Sequence, residues 1–486
     1  MQVLSQTEGL FLIFGFFLAM IVVVFLLKRR QQTKEEFLVA GRNASWIATA
    51  FSIAATWVWA PSMFTAAQKA YTQGFDGVFW FVVPNVLTLV LFAFYATRLR
   101  KQYPNGWTFS AYIKERFSKR TQNLFLAETI VLQVCAIAIQ LLAAASIFHK
   151  ITGLPFFLTT VIIGVIPLTY IFKNGLRSSI ITDLIKMATI VGILLLGFPI
   201  LLHNAPANVI ADGLGGISGK FGHLFDATGW NVFLSFGIPS TLVLLSGTFG
   251  DQMFWQRAFA IKEGEVKKTM LLSAFIFAFV PVFLSLFGFI AAGAGLEVQD
   301  TQLTNVSAIV AFAPRWFLFL FFILILSGLT STVDSVLCAI SSVAGHDYAE
   351  RIAENEKLSY AIKNNRVLNW MLGTPVAIAR TSMVLISILG IALANIPGLT
   401  ITGMWLVYGT MRSGVLLPTM FAIKKRNMHE RGLFIGLLVS WFVGLPFFAY
   451  GNTVGNIPIA VAGSLISLLA SGILSLTIKD KTPVQA

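Results

Sequence analysis

Charge is scarce in this chain, and so are the residue types on which most enzymes depend. Asp, Glu, Lys and Arg make up 12% of the 486 residues, against about 25% in soluble globular proteins. His occurs five times and Cys twice. Cys135 and Cys338 both sit inside long apolar runs, which points to buried thiols rather than a disulfide. There is no Gly-rich phosphate loop, no HExxH and no nucleophile–base arrangement among the polar residues of the apolar runs. A nucleotide-driven pump would need a soluble domain, and the longest stretches between apolar runs are only about 30 residues, at 345–375 and 204–228. The chain is therefore not expected to be an enzyme.

What is present is hydrophobic. Apolar residues make up 56% of the chain, 44 of them Phe, and the mean hydropathy is +0.79. A bilayer crossing needs about 20 consecutive apolar residues. Thirteen runs qualify, at 8–27, 46–70, 77–98, 121–148, 155–172, 177–203, 229–257, 269–296, 315–344, 376–395, 399–423, 432–450 and 457–478. The expected fold class is all-α, a polytopic membrane protein of thirteen transmembrane helices, numbered here as spans 1 to 13. Span 1 has Glu8 rather than a basic residue before its apolar core, and Lys28, Arg29 and Arg30 after it. It reads as a retained anchor with its N-terminus outside.

The net charge of +14 is distributed by side. With the N-terminus outside, segments on the inner face carry 28 Lys and Arg, and the outer loops carry four: Lys69, Lys150, Lys220 and Arg315. That asymmetry reads as membrane orientation rather than affinity for nucleic acid. It places the chain in a cell membrane, expected to be a bacterial inner membrane, with the C-terminus cytoplasmic. The basic stretch Arg116 to Lys119 reads as a headgroup anchor. The Gly-rich 204–228 reads as a short external cap.

Two spans are interrupted. Span 2 contains FSIAATWVWAPSMF with Pro61, and span 7 contains FGIPSTLVLLSGTFGDQ with Gly237, Pro239, Gly247 and Gly250. Unwound backbone at membrane depth is tolerated only where it lines a cavity. If 46–203 and 229–423 are two five-helix repeats, each interruption falls in the first helix of its repeat. An odd number of spans per repeat makes the second copy inverted. The expected layout is one transporter domain, 1–486: an anchor (8–27), two inverted repeats with broken first and sixth core helices, and two C-terminal helices (432–478).

Polar residues inside spans are costly and mark candidate sites. Span 9 holds the densest set. Ser331, Asp334 and Ser335 share a helix face at i, i+3 and i+4, with Gly328 one turn earlier and Thr332 adjacent. Hydroxyls, a carboxylate and a carbonyl suit a hard alkali cation. They equally suit hydrogen bonding between helices. Asp183 in span 6 has Lys186 one turn away, either as an ion partner or beside a functional carboxylate. Arg412, in span 11, costs about 2.5–3.5 kcal/mol unpaired. It either clamps a substrate carboxylate or neutralises Asp183 or Asp334. Trp57, Trp59 and Trp80 line a pocket or pack. Gln133 and Gln140, seven residues apart on one face, bind solute or bridge helices.

Four stretches carry a family resemblance: FLVAGRNASW at Phe37 to Trp46, FSIAATWVW in span 2, GDQMFWQRAFAIK at Gly250 to Lys262, and SGLTSTVDSVLCAISSVAGHDY in span 9. Together they resemble the sodium:solute symporter family over nearly the whole chain. The resemblance implies the leucine-transporter-like inverted-repeat fold. It implies a sodium ion as coupling ion, held by the carbonyls of Ala54, Trp57 and Gly328 and the hydroxyls of Ser331 and Thr332. It also implies a possible second cation set of Asp183, Ser331, Asp334 and Ser335, with Asp334 standing where a hydroxyl is expected. Thr56, Trp59, Trp80, Gln133 and Arg412 are the solute candidates. Pro61 and Phe81 fall at two positions that hold the sugar in sugar-carrying members, so a hexose is not expected. The Trp-rich segment from Ala55 to Phe81 is similar in texture to the urea-transporter branch.

The expected function is sodium-coupled symport of a small polar solute by alternating access: a urea-like solute, an amino acid or a short carboxylate. The rival within transport is proton coupling through Asp183 or Asp334. The rival from another class is a transporter-like membrane sensor. The expected partners are the solute and the lipid bilayer.

Overall fold

A computed structural model describes residues 2–27 and 33–480, so Lys28, Arg29 and Arg30 lie outside the described residues. Among the described residues the chain is all-helical, and twelve helices are long and apolar enough to cross a membrane. The chain is a multi-pass membrane protein.

Helix α1 (Gln6–Leu26) starts at a capping box, in which Ser5 accepts from the Glu8 amide and Glu8 accepts from the Ser5 amide. It turns Phe11, Leu18 and Phe25 outward. Helix α2 (Trp46–Trp57) is too short to span alone. Two residues later α3 (Ala60–Gln102) begins and runs for 43 residues. Straight, it would be about 65 Å long, twice the hydrocarbon core of about 30 Å. It is not straight. The Trp57 indole donates to Asn85 O at 3.1 Å across 28 residues of chain, so the helix must double back. It does so at Gly74, with φ +53° and ψ −148°. A Cβ there would lie 2.4 Å from Leu214 O. Glycine is required both for the dihedral and for the close approach. The expectation of separate spans at 46–70 and 77–98 is compatible with this arrangement.

The segment 204–228 packs over that bend. Phe75 N donates to Leu214 O at 2.8 Å and Ile217 N to Tyr71 O at 2.7 Å. Helix α4 (Phe109–Arg116) buries Phe109 to Ile113 against the bundle. Arg116 bonds Arg426 O at 2.8 Å and Lys119 bonds Glu354 at 2.5 Å. The segment expected to anchor at headgroups thus turns its apolar face to the protein.

Helices α5 (Lys119–Thr152), α6 (Phe156–Asn174) and α7 (Leu176–Asn204) follow. The second interrupted stretch then runs through α8 (Ile238–Leu245), the turn Gly247–Gly250, an extended Asp251, and α9 (Gln252–Ala260). Gly237 and Pro239 do not unwind it: Phe233–Gly237 is a π turn and Pro239 sits in the first turn of α8. The unwinding is at Asp251, with φ −108° and ψ 120°. After α10 (Val266–Gly293) comes α11 (Arg315–Val343), then α12 (Pro375–Ala394), α13 (Ile401–Ser413), α14 (Leu416–Ile423) and the C-terminal α15 (Ile457–Thr477). Helix α11 is buried on every side from Leu324 to Val343, which makes it an internal helix, whereas α12 turns Val384, Leu385, Ile388 and Leu389 outward.

Candidate functional site

The first break is written in two residues. Val58 (ψ 69°) and Trp59 (ψ 171°) leave the helical region. The helical partner of the Thr56 carbonyl would be the Ala60 amide, but that amide donates to Gln140 Oε1 at 3.1 Å. The partner of the Trp57 carbonyl would be Pro61, which has no N–H. Two carbonyls are thereby freed inside a buried helix end.

Helix α11 supplies hydroxyls opposite them. Ser331 Oγ lies 2.7 Å from Ala55 O and 2.8 Å from Gly328 O, and Thr332 Oγ1 lies 3.2 Å from Thr56 O. All of these residues are buried. The hydroxyls therefore meet Ala55 and Thr56, whereas the expected carbonyls were Ala54 and Trp57. The Val58 amide is shared between the Ala54 carbonyl at 3.0 Å and the Ala55 carbonyl at 3.1 Å. A Cβ on Gly328 would lie 2.2 Å from Met63 Sδ, so glycine lets the far limb of the break approach α11.

One turn further along, four fully buried charges meet. Lys186 Nζ is 2.5 Å from Asp334 Oδ2, and Arg257 Nη2 is 3.1 Å from Asp183 Oδ2. Tyr170 donates to Asp334 at 2.6 Å, and Ser52 to Asp183 at 2.7 Å. Arg257 also donates to Ser335 Oγ at 2.7 Å. Lys186 thus pairs with Asp334 rather than with Asp183. Ser331 bonds toward the break and does not join Asp183. Arg257, counted from the sequence among the inner-face loop cations, is instead fully buried. Two carboxylates against two cations make the cluster electrically balanced.

Arg412 neutralises neither of these carboxylates. Its Nη1 is 3.0 Å from Asp251 Oδ2, at the second break. Tyr408 donates to the same oxygen, and Gln133 Nε2 donates to Asp251 Oδ1 at 3.0 Å. The guanidinium stands 4.6 Å from the Tyr408 ring and 6.0 Å from that of Trp57. A central cavity of about 20 Å³ is lined by Thr56, Trp59, Gln140, Asp251, Thr332 and Arg412 among others, room for about one water. Thr56, Trp59, Gln133 and Arg412 therefore converge. Trp80 does not: its ring packs on Phe233 at 4.6 Å and against Gly237.

The central cavity is closed unequally. On the face bearing 204–228, a vestibule of about 420 Å³ is lined by Phe64, Gln68, Lys69, Ser240 and Trp405. Trp59, which lines the central cavity, packs on Trp405, which lines the vestibule, at 5.8 Å between ring centroids. On the opposite face, Trp255 packs against Phe92 at 4.5 Å and Phe109 at 4.9 Å. The central cavity thus lies between the two broken helices, with an open vestibule on one side and packed aromatic rings on the other.

The sodium:solute symporter family profile matches residues 37–440. The chain belongs to the sodium:solute symporter family. A urea-proton symporter of Oryza sativa subsp. japonica is 22% identical over 91% of this chain and 66% of that protein. A sodium/sialic acid symporter of Aliivibrio fischeri is 22% identical over 92% of this chain and 90% of that one. The chain spans about half to two thirds of the length of its urea-transporter relatives. A solved Na+-coupled sialic acid symporter in its outward-open state superposes with a TM-score of 0.77, covering 98% of this chain and 99% of that one at 18% identity. The fold of this family member is leucine-transporter-like, and the family is one of solute symporters.

Two residues of this symporter's polar interior escaped sequence reasoning. Asp251 was read only as part of the GDQMFWQ stretch, and Arg257 as a loop cation. The signal was available: Asp251 directly follows Gly250 in the interrupted stretch, and Arg257 is the last residue of the apolar run 229–257.

Proposed function

We propose that this protein is a sodium-coupled symporter that imports a small polar solute by alternating access. The observation that carries the reading is the buried meeting of the Ser331 and Thr332 hydroxyls with the Ala55 and Thr56 carbonyls beside the first break, where the Thr56 carbonyl has lost its helical partner. All-oxygen, uncharged groups at that depth suit an alkali cation. In this reading Ala54, Trp57, Gly328, Ser331 and Thr332 hold sodium, with Ala55 and Thr56 as neighbouring carbonyl donors. A bound ion ties α2 to α11 and shapes the central cavity. The ion leaves, and the solute follows, when the Trp255 side opens.

We read residues 46–203 and 229–423 as the two inverted repeats, and the 204–228 face as external, with the C-terminus cytoplasmic in a bacterial inner membrane. One sodium moving down 100 mV supplies about 2.3 kcal/mol, and a tenfold gradient about 1.4. Together these support roughly 500-fold accumulation per ion.

For the solute, Thr56, Trp59, Gln133 and Arg412 with Asp251 form a compact site of mixed charge under aromatic walls. It suits urea, an amino acid or a short carboxylate rather than a hexose, and the urea-transporting relatives favour the first. The test is uptake of labelled urea, amino acids and short carboxylates into proteoliposomes, with and without sodium at fixed pH. Sodium-dependent accumulation of one of them is expected, and sodium-independent uptake would sink the sodium claim.

A second reading is proton coupling. The buried Asp183–Arg257 and Asp334–Lys186 pairs favour it, because each carboxylate could accept a proton as its cation moves away. Uptake driven by a pH gradient alone would establish it in place of sodium.

A further inference from the structure

A second carboxylate lies across Gly250 from the Arg412 stem, in a cavity beside the central one. Glu128 lies on α5, 2% exposed, and its Oε1 has no hydrogen-bond partner among the described residues. It lines a cavity of about 20 Å³ together with Ser110, Thr129, Gly250, Gln252 and Thr419, again room for about one water. Thr419 Oγ1 is a second buried atom in that lining without a partner among the described residues.

This cavity and the central one share a wall. Gly250 lines the first and Arg412 the second, and a Cβ on Gly250 would lie 2.3 Å from Arg412 Cγ. The Arg412 stem therefore crosses the break directly on Gly250. Its guanidinium bonds Asp251, while its Nε is buried with no partner among the described residues.

The charges do not balance. Asp251 and Arg412 are the charged groups that act on Glu128. The other packed elements present uncharged groups: Ser110 from α4, Gln252 from α9 and Thr419 from α14. Two carboxyl groups thus share one guanidinium, unlike the two-against-two cluster around Asp183 and Asp334. A surplus carboxylate at this depth needs a proton or a cation beside it.

A polar route leads away from the cavity. Ser110 Oγ donates to Asp347 Oδ1 at 3.1 Å, and Gln122 Nε2 donates to the same oxygen at 2.9 Å. Arg351, on the amphipathic 345–375 segment, bonds Gln122 Oε1 at 3.0 Å.

We propose that Glu128 binds and releases a proton during the transport cycle, exchanging it with the 345–375 face through Ser110 and Asp347. The proton enters from water, sits on the Glu128 carboxyl while Arg412 holds Asp251, and returns to water along the same hydroxyl route. When Arg412 reaches across Gly250 to Glu128, it replaces the proton as the neutralising charge. The proposal rests on the transport reading and makes proton movement a companion of solute movement, whichever ion drives it.

The test uses the purified full-length protein in two ways. Infrared difference spectroscopy on a pH titration should show a protonated-carboxyl band that is lost in Glu128→Gln. In proteoliposomes holding a pH-sensitive dye, labelled urea uptake should move protons in the unmodified protein, more slowly in Ser110→Ala and not at all in Glu128→Gln. A carboxyl band unchanged in Glu128→Gln overturns the proposal. Should Glu128→Gln fail to fold, Glu128→Asp takes its place, where a shifted band supports the proposal and an unshifted one overturns it. If urea does not enter, urea is rejected as solute and the infrared comparison alone decides on Glu128. Sodium-independent uptake rejects the sodium reading and leaves the Glu128 band untouched.

Discussion

The two broken helices solve the same problem with opposite chemistry. At the first break, Val58–Trp59, the Ala55 and Thr56 carbonyls meet neutral hydroxyls of Ser331 and Thr332. At the second, Asp251 meets a guanidinium, a phenol and an amide. The first break thus offers oxygens to something positive and carries no charge of its own. The second has its charge already engaged by Arg412. Each break brings its partner helix from elsewhere in the chain, α11 for the first and α13 for the second, which couples the two ends of the cavity.

The largest effect is expected outside both breaks, in the balanced cluster that holds α7 against α9. Arg257→Ala leaves Asp183 buried without its cation and should cost about 3–5 kcal/mol, read as a large drop in the midpoint of thermal unfolding. The double variant Asp183→Asn, Arg257→Ala should recover much of it. A double variant no better than the single one would show that the pair is not the unit.

At the second break, Arg412→Lys keeps the charge and loses the planar fork. Uptake of the carried solute should fall about tenfold, in line with the loss of one charge-assisted hydrogen bond of about 1.5 kcal/mol. Full uptake in that variant would make Asp251–Arg412 a packing device. At the first break, Thr332→Ala removes one hydroxyl. The sodium concentration for half-maximal uptake should rise about five- to tenfold, on a hydrogen-bond scale of about 1 kcal/mol. An unchanged sodium requirement with solute affinity altered would move Thr332 into the solute site. The smallest effect is expected at Trp80→Phe, which keeps an aromatic ring against Phe233. Uptake should stay within about twofold, on the scale of surface-like changes of about 0.5 kcal/mol, and a large loss would bring Trp80 back as a solute residue.

The comparison also separates what was legible early from what was not. The hydroxyl ladder of α11 was readable because a helix puts i, i+3 and i+4 on one face whatever surrounds it. The first break was readable from Pro61, since a missing N–H frees a carbonyl four residues earlier in any fold. The second break was bracketed rather than located, since Gly237, Pro239, Gly247 and Gly250 all marked the stretch that holds it. Gly237 and Pro239 looked like the interruption, yet a π turn absorbs the one and a first helical turn the other. Gly250 marked the neighbourhood, but the choice of Asp251 as the unwound residue was made by its tertiary partners.

Composition, span length and the Gly and Pro punctuation were enough to determine a multi-pass helical protein with two interrupted helices, because a bilayer imposes length and backbone satisfaction on every segment separately. The local patterns also determined which oxygens α11 would present. Ion pairing was decided only by tertiary structure. Lys186 chose Asp334 over the nearer-in-sequence Asp183, Arg257 left the expected loop set to take Asp183, and Arg412 went to Asp251. The physical reason is that a charge at membrane depth must be matched within a few ångströms. Which charge comes that close depends on how α5, α7, α9, α11 and α13 pack around the two breaks, and no spacing along the chain encodes that.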